Sequence, residues 1–303
     1  MTFTLNLMNS QIEFLIDKYK EYQVIDNNNY TLFRAKIKST TLTIYKTGKV
    51  LLQGNDCNNL YNEICADLNI KPISCEAPVQ KQEIIIGKSI IGTDEVGTGD
   101  FFGGIVVCAS LVPNDKILEL TKMGIKDSKQ INDNKILELG KILVEKIDHC
   151  VLLLNNSKYN QIITMDNMNM NKIKAILHNK VINNFIEKYP NLIYDSIIID
   201  AFCDEEHYFN YLKTTKNVNK NVNLIEKAEN KYISVATSSI IARYYFLKHI
   251  DELSKSCGYE LPKGASSKVD SVARKILNEK GINLLLDISK INFKNLKKAK
   301  GEN

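Results

Sequence analysis

The stretch GTDEVGTGDFFGG runs from Gly92 to Gly104 and follows an apolar pair at 90–91. It places two adjacent carboxylates, Asp94 and Glu95, directly before a glycine-rich turn. Residues 90–94 are typical of a buried strand that ends at the acids. The stretch is either a surface loop or a metal site beside a backbone that can approach a sugar or phosphate closely.

The chain after residue 89 alternates apolar strands with helical stretches. This pattern predicts an α/β domain whose sheet is buried on both faces. The predicted strands are residues 90–94, 105–112, 150–154 and 196–200, and the predicted helices are residues 133–146, 170–188 and 235–256. The change of pattern around two prolines predicts an N-terminal domain over residues 1–73, a linker over 74–88 and a second domain over 89–303.

The N-terminal region predicts a helix, a small antiparallel sheet and a second helix. Ser10 and Glu13 have capping-box spacing, so the first helix is expected to start near Ser10. Strands are predicted at residues 32–38, 41–46 and 49–53, and the second helix at 58–68. In the first strand Phe33, Ala35 and Ile37 share one face, and Arg34, Lys36 and Lys38 share the other. The basic face is either solvated, which the pattern alone favours, or a contact surface for a nucleic-acid backbone.

Composition limits the function without defining it. A chain of 303 residues is long enough for two domains, and its net charge of +5 permits a polyanionic partner. The seven cysteines include no C-x-x-C pair, which indicates reduced thiols of a cytoplasmic protein. The N-terminus does not resemble a signal peptide, and no apolar run approaches the ~18 residues that span a bilayer. We therefore expect no membrane association.

Carboxylates at strand ends form the main candidate site. Asp200 ends the apolar run 196–200, as Asp94 ends the run 90–94, and burying such an acid is costly unless it is paired. If the strands are neighbours, the acids meet at one edge of the sheet, where a cation between them would relieve their repulsion. Carboxylate oxygens select Mg²⁺ or Mn²⁺. The alternative is that each acid caps the following helix.

Two further segments carry charges near this predicted edge. In GIKDSKQIND, Lys129 and Ser128 lie in a loop before a helix; they can hold a phosphate or remain solvated. Glu229 precedes the apolar helix at 235–256, for which Ser234 is the expected N-cap. Glu229 lies near the other acids or is a solvated loop residue.

Taken in order, these motifs resemble the type 2 ribonucleases H, and within them the HIII branch. The resemblance spans nearly the whole chain. Thr98 stands where the HII branch usually has arginine, and Asn292 stands where the family usually has histidine. The segments that carry the resemblance are DEVGTGD at 94–100, GIKDSK at 124–129, NMN at 169–171, LHN at 177–179, DAF at 200–202, KAE at 227–229, SVA at 234–236, IIAR at 240–243 and ISKINF at 288–293.

The resemblance implies an RNase H-like mixed sheet with flanking helices, preceded by a small TATA-binding-protein-like helix–sheet–helix domain that binds substrate. It implies an endonuclease that cuts the RNA strand of RNA–DNA hybrids with Mg²⁺ or Mn²⁺, as a monomer without an obligate protein partner. Asp94, Glu95 and Asp200 would be the metal ligands. Glu229 would be a fourth catalytic carboxylate, with Asp204 as the alternative.

The resemblance also implies a set of substrate contacts. The backbone of the glycine turn would contact the ribose 2′-hydroxyl, which distinguishes RNA from DNA. Two rival functions stay open: incision at single ribonucleotides in DNA, as in ribonuclease HII, and hybrid binding without catalysis. The residues implied in substrate binding are Gly97, Thr98, Gly99, Ser128, Lys129, Asn169 and Asn171.

Overall fold

The computed structural model of the protein describes residues 2–25, 28, 30–70, 87–125 and 131–302. The chain divides into two compact units, residues 1–81 and 82–303. The predicted domain limits stay a prediction, because most of the expected linker lies outside the described residues. Among the described residues, no helix is both long and apolar enough to cross a membrane.

The first unit is a four-stranded antiparallel sheet covered on one face by helices. Its elements are β1 (Thr2–Asn6), α1 (Asn9–Tyr19), β2 (Thr31–Ile37), β3 (Thr40–Tyr45), β4 (Lys49–Gly54) and α2 (Cys57–Asp67). The strand order is β1-β4-β3-β2. Leu15 of α1 and Ile64 of α2 are buried with Ile44 of β3 in one apolar core, which explains why both helices lie on the same side of the sheet.

Alternation along β2 separates two faces of this sheet, as the sequence predicts. Phe33 and Ala35 are buried in the core, whereas Arg34 is on the other face and pairs with Thr43 of β3. Lys38 does not share the face of Arg34. It lies in the turn after the strand with a φ of 51°, because the chain reverses direction there to enter β3.

Two local features of the first unit differ from the prediction. Residues 2–6 form β1, which was not predicted although its apolar and polar side chains alternate. Helix α1 begins at Asn9, and its N-cap is Met8 rather than Ser10. The backbone N–H of Met8 donates to Oε1 of Gln11 at 3.0 Å, so glutamine provides the capping contact and the helix starts earlier.

The second unit is a five-stranded mixed sheet between two layers of helices. Its strands are β5 (Ile90–Val96), β6 (Ile105–Leu111), β7 (Asp148–Leu154), β8 (Ser196–Asp200) and β9 (Val222–Ile225). Its helices are α3 (Asn114–Lys122), α4 (Asp133–Lys146), α5 (Asn156–Ile163), α6 (Met170–Lys188), α7 (Glu205–Tyr211), α8 (Ile233–Cys257), α9 (Ser267–Lys280), α10 (Ile282–Ile288) and α11 (Lys294–Lys300). The order is β7-β6-β5-β8-β9, with the first three strands antiparallel and β5, β8 and β9 parallel. The predicted mixed sheet with flanking helices is confirmed.

Strand β6 shows that this sheet is buried on both faces. Val106 and Cys108 pack in the core that contains α8, whereas Val107 and Ala109 pack in the core that contains α6. Helix α8 approaches the sheet very closely: a Cβ added at Gly92 would lie 2.3 Å from a backbone nitrogen of this helix. The fold therefore places one helix on each side of β5, the strand that carries the paired acids.

Helices α4 and α6 and strand β8 have the predicted limits, but two boundaries near the acids differ. Strand β5 does not end at Asp94; it pairs with β6 as far as Val96. Ser234 is not the N-cap of α8, because the helix begins at Ile233 after Tyr232. Ser234 is instead buried inside the helix, where its backbone oxygen accepts a hydrogen bond from Ser110.

Candidate active site

Asp94 and Asp200 lie at the same edge of the second sheet. Strands β5 and β8 are parallel neighbours, and Thr93 pairs with Ile199 directly before the two acids. Both acids line a cleft of about 330 Å³. The structure therefore brings together the two strand-end carboxylates that the sequence singled out. The cleft is also lined by Glu95, Val96, Gly97, Thr98, Gly99, Asp100, Ser239 and Arg243.

The Asp94 carboxyl is buried against α8, with 7% of the residue exposed. Burial, followed by the charges of Glu95 and Asp200, raises the pKa of Asp94 from 3.8 to about 8. Two hydrogen bonds oppose this rise: one from Ser239, and one from the backbone N–H of Glu95 at 2.8 Å. Asp94 therefore holds a proton near neutral pH unless a cation offsets the neighbouring charges.

Glu95 is on the opposite face of β5, towards α6. Nζ of Lys174 lies 2.5 Å from Oε1, and Nε2 of His178 lies 2.9 Å from Oε2. Burial alone would raise the pKa of Glu95, but the contacts with His178 and Lys174 outweigh burial and lower it. Glu95 is therefore an ionised carboxylate with a hydrogen bond at each oxygen.

Lys174 and His178 were not predicted as site residues. They are one helical turn apart on α6, and Nδ1 of His178 lies 2.8 Å from the hydroxyl of Thr93. His178 Nε2 donates to Glu95, because a carboxylate can only accept. The Phe202 ring stacks on His178 at 5.5 Å and lies 4.3 Å from Nζ of Lys174. The four-residue spacing on α6 was the signal, but only the fold shows which acid it faces.

Asp200 holds the segment that carries Glu229. Oδ1 of Asp200 accepts a hydrogen bond from the backbone N–H of Ala228 at 2.8 Å. Ala228–Asn230 forms a 3₁₀ turn, which Lys227 enters with a φ of 53°. Glu229 is 4% exposed, and it is not among the described residues that line the cleft. Asp200 therefore binds the residue directly before Glu229, and Glu229 itself is buried.

Asp204, the alternative fourth carboxylate, caps a helix. It is the N-cap of α7, and its Oδ1 accepts from the backbone N–H of His207 at 2.8 Å. Hydrogen bonds from His207 lower the pKa of Asp204, and 65% of the side chain is exposed. These contacts give Asp204 a structural role of the kind considered for strand-end acids.

The glycine turn beside the acids has one glycine that the fold requires and one that it does not. Gly97 has a φ of 102°, and a Cβ there would lie 2.4 Å from the backbone oxygen of Gly104. Gly99 is exposed, and a Cβ there would meet nothing within 4 Å. Packing thus explains Gly97, whereas Gly99 keeps the cleft side of the turn open for a close contact.

Two of the other predicted substrate contacts are at the start of α6. Asn169 is the N-cap of α6, and its side chain accepts from the backbone N–H of Lys172 at 2.9 Å. Asn171 is in the first turn of the same helix. Ser128 and Lys129 lie outside the described residues.

A divalent metal ion fits the chemistry of this cleft. Asp94 and Asp200 present the hard oxygen donors that Mg²⁺ and Mn²⁺ prefer. A cation beside Asp94 would also offset the repulsion that helps to raise its pKa. Within the described part of the chain, no three His, Cys, Asp or Glu side chains are grouped as a metal site. The Glu95 oxygens instead face Lys174 and His178.

Comparison with known proteins identifies the family. A family model described as ribonuclease HII matches residues 91–296, well over half of the chain. The chain belongs to the ribonuclease HII family. A second model, described as a domain of unknown function, matches residues 2–62. The family match covers the sheet and the cleft, and the second match covers most of the first unit.

Full-length relatives in the ribonuclease HII family are ribonucleases HIII. Ribonuclease HIII of Streptococcus gordonii is 41% identical, covering 98% of this chain and 97% of its own. Ribonuclease HIII of Lactococcus lactis subsp. cremoris is 38% identical, covering 99% and 98%. A crystal structure of Bst-RNase HIII in complex with Mn²⁺ has a TM-score of 0.70 at 33% identity, covering 99% of this chain and 98% of that chain.

These matches confirm the family resemblance, the fold and the enzyme class expected from the sequence. Ribonucleases of this family are metal-dependent endonucleases that hydrolyse RNA in RNA–DNA hybrids, and the chain has the fold of this family over its full length. Dependence on a divalent metal is likewise general to the family.

Proposed function

We propose that the cleft between β5 and β8 is where the protein cuts the RNA strand of an RNA–DNA hybrid, with Asp94, Glu95 and Asp200 as metal ligands. The observation that carries this proposal is the burial of Asp94 beside Asp200, which raises the pKa of Asp94 to about 8. Strong perturbation of a carboxyl in a cleft is typical of functional sites.

Mg²⁺ or Mn²⁺ is the proposed cofactor; of two bound ions, one would activate the attacking water and the other would stabilise the leaving 3′ oxygen of the phosphodiester. Asp94 would release its proton to bind the ion, because a metal ligand must be ionised. Glu95 is already ionised, but it would have to exchange the contact with Lys174 for the ion. His178 can keep its contact with the other oxygen and hold the carboxylate in place.

We propose that the glycine turn positions the ribose of the RNA strand. Gly97 fixes the turn, and Gly99 leaves room for backbone atoms to reach the 2′-hydroxyl. Thr98, partly buried between them, lines the cleft. Ser128, Lys129, Asn169 and Asn171 remain proposed contacts to the strand backbone.

Glu229 is the proposed fourth carboxylate, and Asp204 remains the alternative. Burial of Glu229 in the segment that Asp200 holds supports this choice. The exposed position of Asp204 as a helix cap supports it further.

The N-terminal domain, residues 1–73, is proposed to bind the hybrid. Support comes from the sheet face opposite the helices, where Arg34 is in register with Thr43 and the exposed Lys36 with Thr41. Basic and hydroxyl side chains on one face suit contacts to phosphates and sugars. We also propose that the protein works in the cytoplasm as a monomer.

Cleavage of three labelled duplexes tests this function: an RNA–DNA hybrid, a DNA duplex with one embedded ribonucleotide, and an all-DNA duplex, each with Mg²⁺ and with Mn²⁺. We expect efficient cleavage of the hybrid alone. Efficient cutting at the single ribonucleotide would favour activity of the ribonuclease HII type, and binding of the hybrid without cleavage would favour a non-catalytic protein.

A further inference from the structure

A lysine is completely buried behind the glycine turn. Lys290 lies between α10 and α11, has no exposed surface and is among the largest fully buried side chains. Its Nζ donates to the backbone oxygen of Asp100 at 2.7 Å and to that of Gly103 at 2.5 Å. Lysine is almost never fully buried unless it is paired, so the loop at 100–103 is the partner that retains it.

The backbone around Lys290 holds the same loop. The N–H of Lys290 donates to the oxygen of Phe101, and the N–H of Gly103 donates to the oxygen of Ile288, both at 2.9 Å. Phe102 and Ser289 form an antiparallel bridge between these contacts. Residues 288–290 therefore pair with residues 101–103 as a short added strand.

Side chains of α5 complete the enclosure of the amine. The rings of Tyr159 and Phe293 each lie 5.9 Å from Nζ of Lys290. The Tyr159 hydroxyl donates to Oδ1 of Asn292 at 2.9 Å. Asn156 also donates to the oxygen of Gly103. Asn292, which departs from the family pattern, thus works here as the acceptor that orients Tyr159.

Burial of the amine, more than the charges around it, sets the pKa of Lys290. Burial lowers the pKa of Lys290 to about 7, and the Asp100 carboxylate opposes this in part. His249 of α8 and the hydroxyl of Tyr159 face the same region, and the charge of Lys290 contributes to the lowered pKa of His249. A neutral amine still has two N–H donors, so both loop oxygens keep a partner in either protonation state.

The loop that Lys290 holds continues directly into the cleft. Gly97, Thr98, Gly99 and Asp100 line the cleft, and the Lys290 contacts begin at the oxygen of Asp100. We propose that Lys290 is a positioning residue for hybrid cleavage: by binding the oxygens of Asp100 and Gly103, it fixes the glycine turn at the acids. This inference rests on the proposed role of that turn.

An apolar side chain at position 290 could fill the same space without holding the turn. In Lys290→Met the Asp100 oxygen loses its amine donor, whereas the Gly103 oxygen keeps Asn156. Because methionine avoids burying a charge, such a change can leave the fold as stable as before. A purely structural lysine would instead lower stability and activity together.

Hydrogen exchange followed by mass spectrometry tests the proposal on the full chain without substrate. The variants are Lys290→Met and, as the matched control, Lys294→Met, which changes an exposed lysine of α11. We expect exchange in the peptide that covers residues 97–104 to be about tenfold faster in Lys290→Met only, since loops held by fewer contacts open more often. We expect kcat/KM for the hybrid to fall by about 10- to 100-fold, because small displacements near reacting groups have effects of this size.

Unchanged exchange in a folded Lys290→Met variant would overturn the proposal, and so would faster exchange with unchanged cleavage. If Lys290→Met does not fold, Lys290→Gln is the second variant, because its amide is one bond shorter and cannot hold both oxygens as the amine does. The exchange result does not depend on cleavage, so failure of the parent chain to cut hybrid would count against the proposed function and not against the positioning role.

Discussion

Asp94 and Glu95 are neighbours in sequence, yet they lie in opposite electrostatic surroundings. Burial against α8, followed by the charges of the neighbouring carboxylates, raises the pKa of Asp94. Glu95 faces α6, where His178 and Lys174 outweigh the effect of burial and lower its pKa. The cause is the two-residue period of a strand, which sends successive side chains to opposite faces. In a sheet buried on both faces, two adjacent acids therefore meet two different helices.

This difference separates the two acids by role. The α8 side of β5 has negative charge that a cation would offset, and the α6 side already has its cation in Lys174. Pairs of titratable groups whose surroundings drive their pKa values apart are typical of catalytic sites. The α8 side is thus the side where the metal requirement should be strongest.

The largest effect is expected from Asp200→Asn, which removes the second carboxylate beside Asp94. Hybrid cleavage should fall by more than about 100-fold, because residues behind metal ligands already cost about 10- to 100-fold when they are replaced. The measurement is single-turnover cleavage of a labelled hybrid. Asparagine can still accept the hydrogen bond from Ala228, so circular dichroism should show an intact fold.

Asp204→Asn is the comparison variant for this change, because it alters the exposed carboxylate that caps α7 and that is the alternative fourth carboxylate. Cleavage should stay within a few-fold of the parent. Glu229→Gln should lie between the two variants if Glu229 is the fourth carboxylate. A stronger loss in Asp204→Asn than in Glu229→Gln would reverse that assignment.

A smaller effect is expected from Lys174→Met on the other side of β5. Loss of the Lys174 ammonium should raise the pKa of Glu95. Burial raises this pKa, and only the contact with His178 would then remain to lower it. We expect cleavage to fall by about 10-fold at acidic pH, because Glu95 would have to be ionised to bind the ion. The pH–rate profile of the variant should shift to higher pH; an unchanged profile would show that Lys174 does not control this carboxylate.

The pH dependence of the parent chain follows from Asp94. Because its pKa is raised to about 8, the folded protein binds this proton more tightly than the unfolded chain, whose value is near 3.8. Stability without metal should therefore decrease as pH rises between these values. Cleavage at limiting metal should increase with pH up to about 8, and saturating metal should move the midpoint lower. If the pH midpoint of cleavage did not change with metal concentration, metal binding and the ionisation of Asp94 would not be coupled.

The smallest effect on the cleavage rate is expected from substitutions on the basic sheet face of the first unit. Replacing Arg34 and Lys36 together by Ala should weaken hybrid binding and leave single-turnover cleavage at saturating enzyme nearly unchanged. The slope of log Kd against log salt should fall by about 2, or about 1 per phosphate contact. Lys20→Ala, which removes an exposed charge after α1, is the control. An unchanged slope in the double variant would place the binding surface elsewhere.

Helix and strand limits that depend on neighbouring residues could be predicted from the sequence. The limits of α4 and α6 were predicted because asparagine caps mark their starts, and those of β8 because three consecutive isoleucines mark the strand. Strand β1 was missed although T-F-T-L-N alternates, since only two of its five residues are apolar. The N-cap of α1 was wrong because Gln11 can provide the reciprocal contact that Glu13 was expected to make.

The parts of the site that were not predicted depend on contacts between distant segments. Lys174 is 79 residues from Glu95, and only the packing of α6 on β5 makes them partners. Lys290 is ordinary in sequence, in a segment rich in lysines, and its burial follows from the pairing of residues 288–290 with residues 101–103. The carboxylates were found because each ends or follows an apolar run, which is a local signal.

We propose that both metal binding and hybrid cleavage depend on the Asp94 carboxylate. The direct test is to measure Mn²⁺ binding by calorimetry and hybrid cleavage by single turnover in Asp94→Asn and in the parent. We expect the variant to keep its fold, to bind Mn²⁺ more weakly and to cut more than about 100-fold more slowly. A folded Asp94→Asn variant that binds Mn²⁺ and cuts the hybrid as the parent does would show that the Asp94 carboxylate is not a metal ligand.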